Sequence, residues 1–514
     1  MPRLWRSILL ASLRHAERPA LAEVRGGQKF NFRELVDAAT VFGGKLKDLP
    51  DSPLALCADN SPAWVIADLA CLATHRCLVP MPTFFSTAQV LHALNDAGIS
   101  HLFTDRPKEF LELGFEIIPS EETFFGLTLM QRENVRAVAL PEGTIKITYT
   151  SGSTGTPKGV CLGEEQIGQV AQSLAQLTAQ SEVQRHLCVL PFSTLLENIA
   201  GIYVPLLRGA TVSVSGLGEL GFQGSSKFDA TAFITALTLS KAQSMILTPQ
   251  LLDALLLVHA AGLTLPADLR FVAVGGGKVS NKSLERARKA GLPVFEGYGL
   301  SECASVVSLN IPQNQRQGSV GKPLPHLNVA IRHGEIVVIG QHFLGYCGDT
   351  GTELNGEWPT GDLGFLDEDG YLYVSGRCKN LLISSFGRNI SPEWVEAEIC
   401  SANCVSQCIV FGEARPYLVA LLYAPPEIKD STLQAHIERT NSRLPDYARI
   451  GNWIRLTTAF TTKDATLTLN GRLRRESIAR IHQSRIDALY AQESRMNHPG
   501  STRVPISVYR SESQ

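Results

Sequence analysis

Short apolar runs alternate with helix-like stretches over residues 20–140 of the chain. Residues 54–57 form an apolar run of strand length, and residues 63–70 follow with a helix-like pattern. Residues 145–149 alternate apolar and polar positions with the period of two that is typical of a strand, and residues 163–181 favour a helix. This succession predicts an α/β fold in layers, with largely parallel strands.

Two apolar stretches resemble membrane or export signals at first sight. The stretch 251–263 contains Asp253 and His259, so it suits a buried helix better than a membrane span. The stretch 8–13 is followed directly by Arg14 and further charged residues, which makes it too short for a signal peptide. We therefore predict a basic, amphipathic first helix, which leaves peripheral contact with a membrane open.

The composition is that of a globular protein without unusual charge. Of 514 residues, 44% are hydrophobic and 19% charged, and the formal net charge is −2, so nucleic acid is not an expected partner. The eleven cysteines include no Cys-x-x-Cys pair, which disfavours a disulfide framework and a zinc ribbon and favours the cytoplasm. Cys400, Cys404 and Cys408 have helical spacing but no histidine among them, so we expect them to pack in a core.

A loop rich in glycine and hydroxyl residues, 150–159, follows the strand-like run 145–149. Its glycines let the backbone approach a ligand, its hydroxyls and N–H groups can surround phosphate oxygens, and Lys158 adds a positive charge. Pro157 and Gly159 occupy the positions where a Walker P-loop needs glycine and a hydroxyl, so a Walker-type NTPase is disfavoured. The predicted phosphate-binding residues are Thr150, Ser151, Gly152, Ser153, Thr154, Gly155 and Lys158.

Two later segments offer groups that suit a nucleotide. The apolar run 271–274 ends in three glycines, on which a flat ligand can lie. In the segment 296–310, a tyrosine between two glycines can stack on adenine, and a hydroxyl and a carboxylate that can ligate Mg²⁺ follow it. The candidate residues are Gly275, Gly276, Gly277, Tyr298, Gly299, Ser301 and Glu302.

A Gly/Asp-rich loop at residues 358–364 precedes a hairpin-like segment at 365–373. The loop contains the sequence Thr-Gly-Asp, in which Asp362 can accept hydrogen bonds from both hydroxyls of a ribose. An isolated Thr-Gly-Asp is usually an ordinary turn. On these residues alone, an ordinary turn is therefore the favoured interpretation.

Taken in order, these motifs resemble those of the AMP-forming adenylating superfamily, which includes acyl-CoA synthetases, stand-alone adenylation domains and beetle luciferase. Ser301 stands where the family's Tyr-Gly-x-Thr-Glu motif usually has threonine, and it retains the hydroxyl. Segments 190–212 and 297–310 are most similar to fatty acyl-CoA synthetases, although Thr194 stands where those usually have histidine. Within this region, residues 186–191 are predicted to form a buried strand.

The resemblance implies roles for further residues. Asp362 and Arg377 would contact the ribose, Lys379 would be the pivot of a hinge, and Gly387 would let a pantetheine arm pass. Arg472 stands where the family has a lysine that bridges the substrate carboxylate and the α-phosphate. A planar guanidinium is not equivalent to a compact ammonium, so this change would slow adenylation without necessarily abolishing it. The implied catalytic residues are Lys158, Ser301, Glu302, Lys379 and Arg472, with Glu302 as the metal ligand.

The resemblance also implies an architecture and an activity. A large N-terminal AMP-binding domain would span residues 1–376, a hinge 377–380, a small α+β domain 381–492 and a polar tail 493–514. With ATP, Mg²⁺ and CoA, the protein would convert a fatty acid into acyl-AMP and transfer the acyl group to the thiol. Two alternatives remain: a ligase that passes the acyl group to a separate carrier protein or an amine, and a nucleotide-binding protein whose adenylation is weakened by the arginine at position 472.

Overall fold

The computed structural model describes residues 1–119, 124–133, 135–150, 157–223, 227–340, 342–349, 356–383, 385, 389–402, 404–468 and 471–491. Contacts between residues divide the chain into two compact units. The first unit comprises Met1–Lys379 and Thr468–Arg472, and the second comprises Asn380–Leu467 and Leu473–Gln514. The chain passes directly from the first unit to the second between Lys379 and Asn380.

Nine strands of the first unit form sheet A. Their order across the sheet is Lys322–Pro323, Ser308–Leu309, Val294–Tyr298, Phe271–Val274, Ser244–Leu247, Arg185–Leu187, Thr211–Val214, Pro19–Glu23 and Lys29–Asn31. Six consecutive strands of this order, from Val294–Tyr298 to Pro19–Glu23, pair in parallel. Ser308–Leu309 and Lys29–Asn31 flank them as antiparallel neighbours, and Lys322–Pro323 pairs antiparallel with Ser308–Leu309. Parallel strands need cover on both faces, which is why the middle strands are mostly buried apolar runs.

Eight further strands form sheet B, and four form sheet C. The order in sheet B is Gly345–Tyr346, Lys158–Gly163, Thr144–Thr150, Leu78–Pro80, Leu54–Cys57, His101–Thr104, Thr128–Gln131 and Glu116–Ile117. The order in sheet C is Asn328–Arg332, Glu335–Ile339, Glu357–Leu366 and Leu372–Arg377, all antiparallel. The last two strands contain the hairpin predicted at 365–373, with Phe365 opposite Tyr373. The predicted α/β class is confirmed.

The helices of the first unit begin where the sequence supplies caps. The Asn31 side-chain oxygen accepts from the Glu34 N–H, and the Glu34 carboxylate accepts from the Asn31 N–H, each at 2.8 Å. Thr248 is the N-cap of helix Pro249–Ala260, and its side-chain hydroxyl accepts from the Leu251 N–H at 3.4 Å. The α-helices are Arg3–Arg14, Phe32–Leu46, Pro62–Thr74, Thr87–Asp96, Pro107–Leu111, Glu164–Leu177, Val204–Leu207, Ala230–Ser240, Pro249–Ala260 and Asn281–Lys289. In the described part of the chain, no helix is both long and apolar enough to cross a membrane.

Two expectations about local structure need correction. The predicted strand 186–191 ends at Leu187, because the Leu190 N–H donates to the Glu197 carboxylate at 3.0 Å instead of a neighbouring strand. A π-helix, Glu197–Tyr203, follows. The predicted helix 163–181 ends at Leu177 and continues only as the 3₁₀ turn Ala179–Ser181.

The second unit is a smaller α+β structure. Its main sheet has the order Gln407–Phe411, Leu418–Tyr423 and Ile450–Leu456, antiparallel and then parallel, and a short pair joins Leu382–Ile383 to Asn389–Ile390. Its α-helices are Pro392–Cys400, Asp430–Asn441 and Arg475–Ala491, and Asp446–Ala448 is a 3₁₀ turn. Cys408 is part of the hydrophobic core of this unit, and Cys400 and Cys404 pack against it, as predicted.

Candidate active site

Three neighbouring parallel strands of sheet A end at the same edge of the sheet. Strand Ser244–Leu247 is followed by Thr248, strand Phe271–Val274 by Gly275, and strand Val294–Tyr298 by Gly299. The carboxyl ends of parallel strands are where open α/β sheets bind ligands. The three glycines that follow strand Phe271–Val274, Gly275 to Gly277, are called the glycine tip below. The glycine tip and the Tyr-Gly segment at 298–299, which are separate motifs in the sequence, therefore lie side by side.

Two of the glycines at this edge are required by the backbone. Gly276 has φ +80°, a left-handed conformation that residues with side chains rarely adopt. A Cβ atom on Gly299 would lie 1.7 Å from the carbonyl oxygen of Ser305, which leaves no space for any side chain. Gly275 is less restricted: its Cβ would make an ordinary contact of 3.8 Å with Leu196.

Asp362 connects the Tyr-Gly segment with sheet C. The Tyr298 hydroxyl donates to Asp362 Oδ2 at 2.7 Å, and Arg377 Nε lies 2.9 Å from Oδ1. Burial, together with the Asp362 carboxylate, raises the pKa of the Tyr298 hydroxyl well above its ordinary value, so this group remains a hydrogen-bond donor. Each carboxylate oxygen has a second lone pair, which suits it to accept a ribose hydroxyl in addition.

Tyr346, which the sequence-based prediction missed, connects two predicted catalytic residues. Its hydroxyl donates to Glu302 Oε1 at 3.0 Å, and Lys158 Nζ lies 5.1 Å from the centre of its ring, within the range of a cation–π interaction. Burial and the Glu302 carboxylate raise the pKa of this hydroxyl, which keeps it a donor. A further bond, from the Phe343 N–H to the Glu302 carbonyl oxygen at 2.6 Å, fixes the same segment.

Lys158 lies at the end of the strand pair that flanks the phosphate loop. Thr150 and Lys158 are paired at the ends of strands Thr144–Thr150 and Lys158–Gly163 in sheet B. Tyr346 pairs with Val160 in the strand that Lys158 begins, which explains how Tyr346 comes close to Lys158. The predicted loop residues Ser151, Gly152, Ser153, Thr154 and Gly155, and also Gly387, lie outside the described residues.

Arg472 contacts the glycine tip. The short segment Thr468–Arg472 groups with the first unit, and within that unit Arg472 Nε and Nη2 donate to the Gly276 carbonyl oxygen at 3.1 and 2.9 Å. The Arg472 N–H donates to the Thr468 hydroxyl at 3.0 Å. The guanidinium thus lies at the strand edge where the other candidate residues are found.

Ser301, Glu302 and Lys379 lie in short 3₁₀ turns. Ser301 begins the turn Ser301–Cys303, and both it and Glu302 are half-buried. A half-exposed carboxylate is a hard oxygen ligand of the kind that Mg²⁺ prefers, so Glu302 fits the predicted metal role. Lys379 is exposed in the turn Cys378–Asn380, and it is the last residue of the first unit before the second begins.

Comparison with known families decides the class of the protein. The family model described as "AMP-binding enzyme" matches residues 11–345. The chain belongs to the AMP-binding enzyme family. A second model, described as "AMP-binding enzyme C-terminal domain", matches residues 379–494. The predicted superfamily and the predicted class, an ATP-dependent, AMP-forming acid–thiol ligase, are thereby confirmed.

Relatives of this AMP-binding enzyme are CoA ligases. It is 29% identical over 377 residues to the 2-succinylbenzoate–CoA ligase of Bacillus subtilis, a match that covers 70% of this chain and 74% of that protein. It is 25% identical over 518 residues to the long-chain-fatty-acid–CoA ligase FadD15 of Mycobacterium bovis, covering 84% of this chain and 86% of that protein. The two relatives share CoA and differ in the acid.

Solved structures share the fold of this AMP-binding enzyme. The anthranilate CoA ligase AuaEII in complex with anthranoyl-AMP has a TM-score of 0.77 at 18% identity, covering 95% of this chain and 98% of that one. The o-succinylbenzoate CoA synthetase of Bacillus subtilis in complex with ATP and magnesium ion has a TM-score of 0.73 at 24% identity, covering 93% and 99%. At these identities the similarity shows the fold alone.

Proposed function

We propose that this enzyme activates a hydrophobic carboxylic acid, in the first place a fatty acid, and transfers it to CoA. A carboxylate oxygen attacks the α-phosphorus of ATP, and the bond to pyrophosphate breaks to give acyl-AMP. The CoA thiolate then attacks the acyl carbon, and AMP leaves. The observation that carries the proposal is the grouping of Tyr298, Asp362 and Arg377 with Gly276 and Arg472 around one strand edge of sheet A.

The polar residues of the site suit the nucleotide. Tyr298 offers a ring for adenine, and Asp362 offers lone pairs for the ribose hydroxyls while Tyr298 and Arg377 hold its carboxylate in place. Glu302 would hold Mg²⁺, which when bound neutralises charge on the phosphate oxygens. Lys158 and Arg472 add positive charge, and Tyr346 orients both Lys158 and Glu302.

The surroundings of the glycine tip suit an apolar acyl group. Leu196, Ala200 and Ala273 are partly buried there and pack against the hydrophobic cores on both sides of the region. A Cβ on Gly275 would lie 3.8 Å from Leu196, and a Cβ on Gly277 would lie 3.5 Å from Pro249. An apolar surface next to the reacting carboxylate favours a fatty acid over a small polar acid.

The second candidate substrate is an aromatic carboxylate. It is favoured by the identity to 2-succinylbenzoate–CoA ligases, which exceeds the identity to the fatty-acid ligase, although over a smaller share of the chain. The same site and the same two chemical steps would serve either acid. The shape of the apolar surroundings of Leu196 would decide whether the enzyme accepts the fatty acid or the aromatic acid.

A substrate panel tests the proposal. The purified protein is given ATP, Mg²⁺ and CoA with octanoate, dodecanoate, hexadecanoate, 2-succinylbenzoate or anthranilate, and thioesters are identified by mass spectrometry. We expect acyl-CoA from the fatty acids. Turnover of the aromatic acids alone would overturn the fatty-acid assignment. Acyl-AMP that accumulates with CoA, but is consumed by a carrier protein or an amine, would overturn the assignment of CoA as acceptor.

Paired variants connect the activity with the site. Asp362→Asn removes the charge that pairs with Arg377, and it should lower thioester formation at limiting ATP. Asp367→Asn breaks a comparable ion pair with Arg316 outside the site, at 2.8 Å, and should leave the rate unchanged. Equal rates for the two variants would place the ribose elsewhere.

A further inference from the structure

A second group of ligand-type side chains is buried in the first unit. His186 is 4% exposed, and Cys188 and Glu197 are 0% exposed. One potential ligand atom from each lies within 4.8 Å of the other two. Over the described ranges of the chain, no other set of three or more histidine, cysteine, aspartate or glutamate side chains meets this condition. The mechanism proposed above uses none of the three.

The local backbone is shaped around this group. His186 lies in strand Arg185–Leu187, and Glu197 begins the π-helix Glu197–Tyr203, a rare geometry that is frequent at functional sites. Gly201 in the same π-helix has no side chain, and a Cβ there would lie 2.2 Å from Glu197 Oε1 and 3.1 Å from His186 Nε2. Glycine therefore leaves the position beside these two ligand atoms free of a side chain that would collide with them.

His186 and Glu197 each use one side-chain atom for a hydrogen bond that points away from the cluster, as is usual for metal ligands. His186 Nδ1 lies 2.8 Å from the Ser244 hydroxyl, and Glu197 Oε2 accepts the Leu190 N–H at 3.0 Å. Ligating histidines almost always bond a second group through their other ring nitrogen, and ligating carboxylates are held in the same way. These bonds aim His186 Nε2 and Glu197 Oε1 at each other.

The distance between these two inner atoms fits a shared cation better than a direct ion pair. They are 3.4 Å apart. A charge-assisted N–H···O bond is shorter, about 2.7–2.9 Å. Two ligands at about 2.0–2.1 Å from zinc in a tetrahedron are separated by about 3.3 Å. Cys188 Sγ lies 3.3 Å from the Gly201 carbonyl oxygen, which is close enough to serve as the fourth ligand of a tetrahedral site.

We propose that His186, Cys188 and Glu197 bind one Zn²⁺ ion, with the Gly201 carbonyl oxygen completing the site. A thiolate and an imidazole select zinc over Mg²⁺, which prefers oxygen ligands, so this ion is distinct from the nucleotide-associated metal. One thiolate and one carboxylate neutralise the two charges of zinc, which makes the site compatible with the apolar core. The ion ties strand Arg185–Leu187 to the π-helix that follows Leu196, and so it holds one wall of the proposed acyl region.

Metal analysis of the full-length protein tests this proposal. The protein is expressed with added zinc, passed through metal-free buffer and analysed by plasma mass spectrometry. We expect about one zinc per chain in the wild type, at least tenfold less in Cys188→Ser, and wild-type content in Cys71→Ser. Cys71 is a matched control because it is also buried, at 2% exposure, and belongs to none of these contacts.

Cobalt substitution gives a second test, which uses only the wild-type protein and so does not depend on whether a variant folds. Wild-type protein depleted of zinc and loaded with Co²⁺ should show the near-ultraviolet absorption of a cobalt–thiolate bond, and ATP with Mg²⁺ should not remove it. Folded wild-type protein without zinc and without this absorption would overturn the proposal. Unchanged zinc content in Cys188→Ser would overturn it as well.

Discussion

Tyr346 contributes both its hydroxyl and its ring to the candidate site. The hydroxyl donates to Glu302, and the ring faces the Lys158 ammonium, so one side chain contacts both a carboxylate and a cation that we propose to act near phosphate oxygens. A residue with this arrangement positions catalytic groups without reacting itself. Its effect is therefore expected in the rate of adenylation more than in the binding of the acid.

We expect Tyr346→Phe to lower the rate of acyl-AMP formation by about 10- to 150-fold, since a hydrogen bond to a charged group contributes about 1.5–3 kcal/mol and the ring itself remains. Pyrophosphate release at saturating ATP and acid measures this. Tyr373→Phe removes a similar bond, from a tyrosine to Asp367 at 3.2 Å, and serves as the control. A wild-type rate for Tyr346→Phe would mean that Glu302 is oriented by other groups.

Arg472 stands where the resemblance implies a catalytic lysine. If it stabilises the transition state as the usual lysine does, Arg472→Ala should slow acyl-AMP formation about 10²–10³-fold and leave transfer from supplied acyl-AMP nearly intact. Arg472→Lys should keep or raise the rate. Equal rates for wild type and both variants would remove Arg472 from the catalytic residues.

Among the elements, the parallel strands of sheet A determine where the site forms. Their carboxyl ends bring the glycine tip next to the Tyr-Gly segment, and the close approach of Gly299 to the Ser305 carbonyl oxygen fixes the turn between Tyr298 and Ser301. The Tyr-Gly-x-Ser-Glu motif thus needs its glycine, Gly299, for backbone packing, separately from any contact with a ligand.

Gly299→Ala should therefore destabilise the first unit by at least about 1–3 kcal/mol, the usual cost of overpacking, and lower its melting temperature. Gly44→Ala is the control, because Gly44 lies in helix Phe32–Leu46 with no atom within 4 Å of an added Cβ. We expect the control to be neutral or more stable by about 0.5–1 kcal/mol. Thermal unfolding followed by circular dichroism measures both, and an unchanged melting temperature for Gly299→Ala would contradict the assigned turn.

The elements also show what sequence could and could not predict. Strand Thr144–Thr150 and the hairpin after Asp362 were predicted because their alternation is local. Tyr346 was missed because its contacts with Glu302 and Lys158 depend on a strand pair with Val160, far away in the sequence. The strand from His186 was predicted too long because the Glu197 carboxylate, which binds the Leu190 N–H, is apparent only in three dimensions.

In the whole molecule, the chain passes from the first unit to the second directly after Lys379. The resemblance implies that the backbone of Lys379 rotates between the two half-reactions, and this rotation remains a prediction. Proline would fix φ near −65°. We expect Lys379→Pro to lose either acyl-AMP formation or thioester formation and to keep the other, and Lys379→Ala to keep both. Wild-type rates of both steps in Lys379→Pro would exclude rotation at this residue.

The molecule as a whole is expected to consume ATP by AMP-forming adenylation. Phosphorus NMR of a reaction that contains the protein, ATP, Mg²⁺, hexadecanoate and CoA tests it most directly, because every product of ATP is resolved in one spectrum. We predict AMP and pyrophosphate in equal amounts, formed only when the acid is present. ADP and orthophosphate as the products would contradict the account.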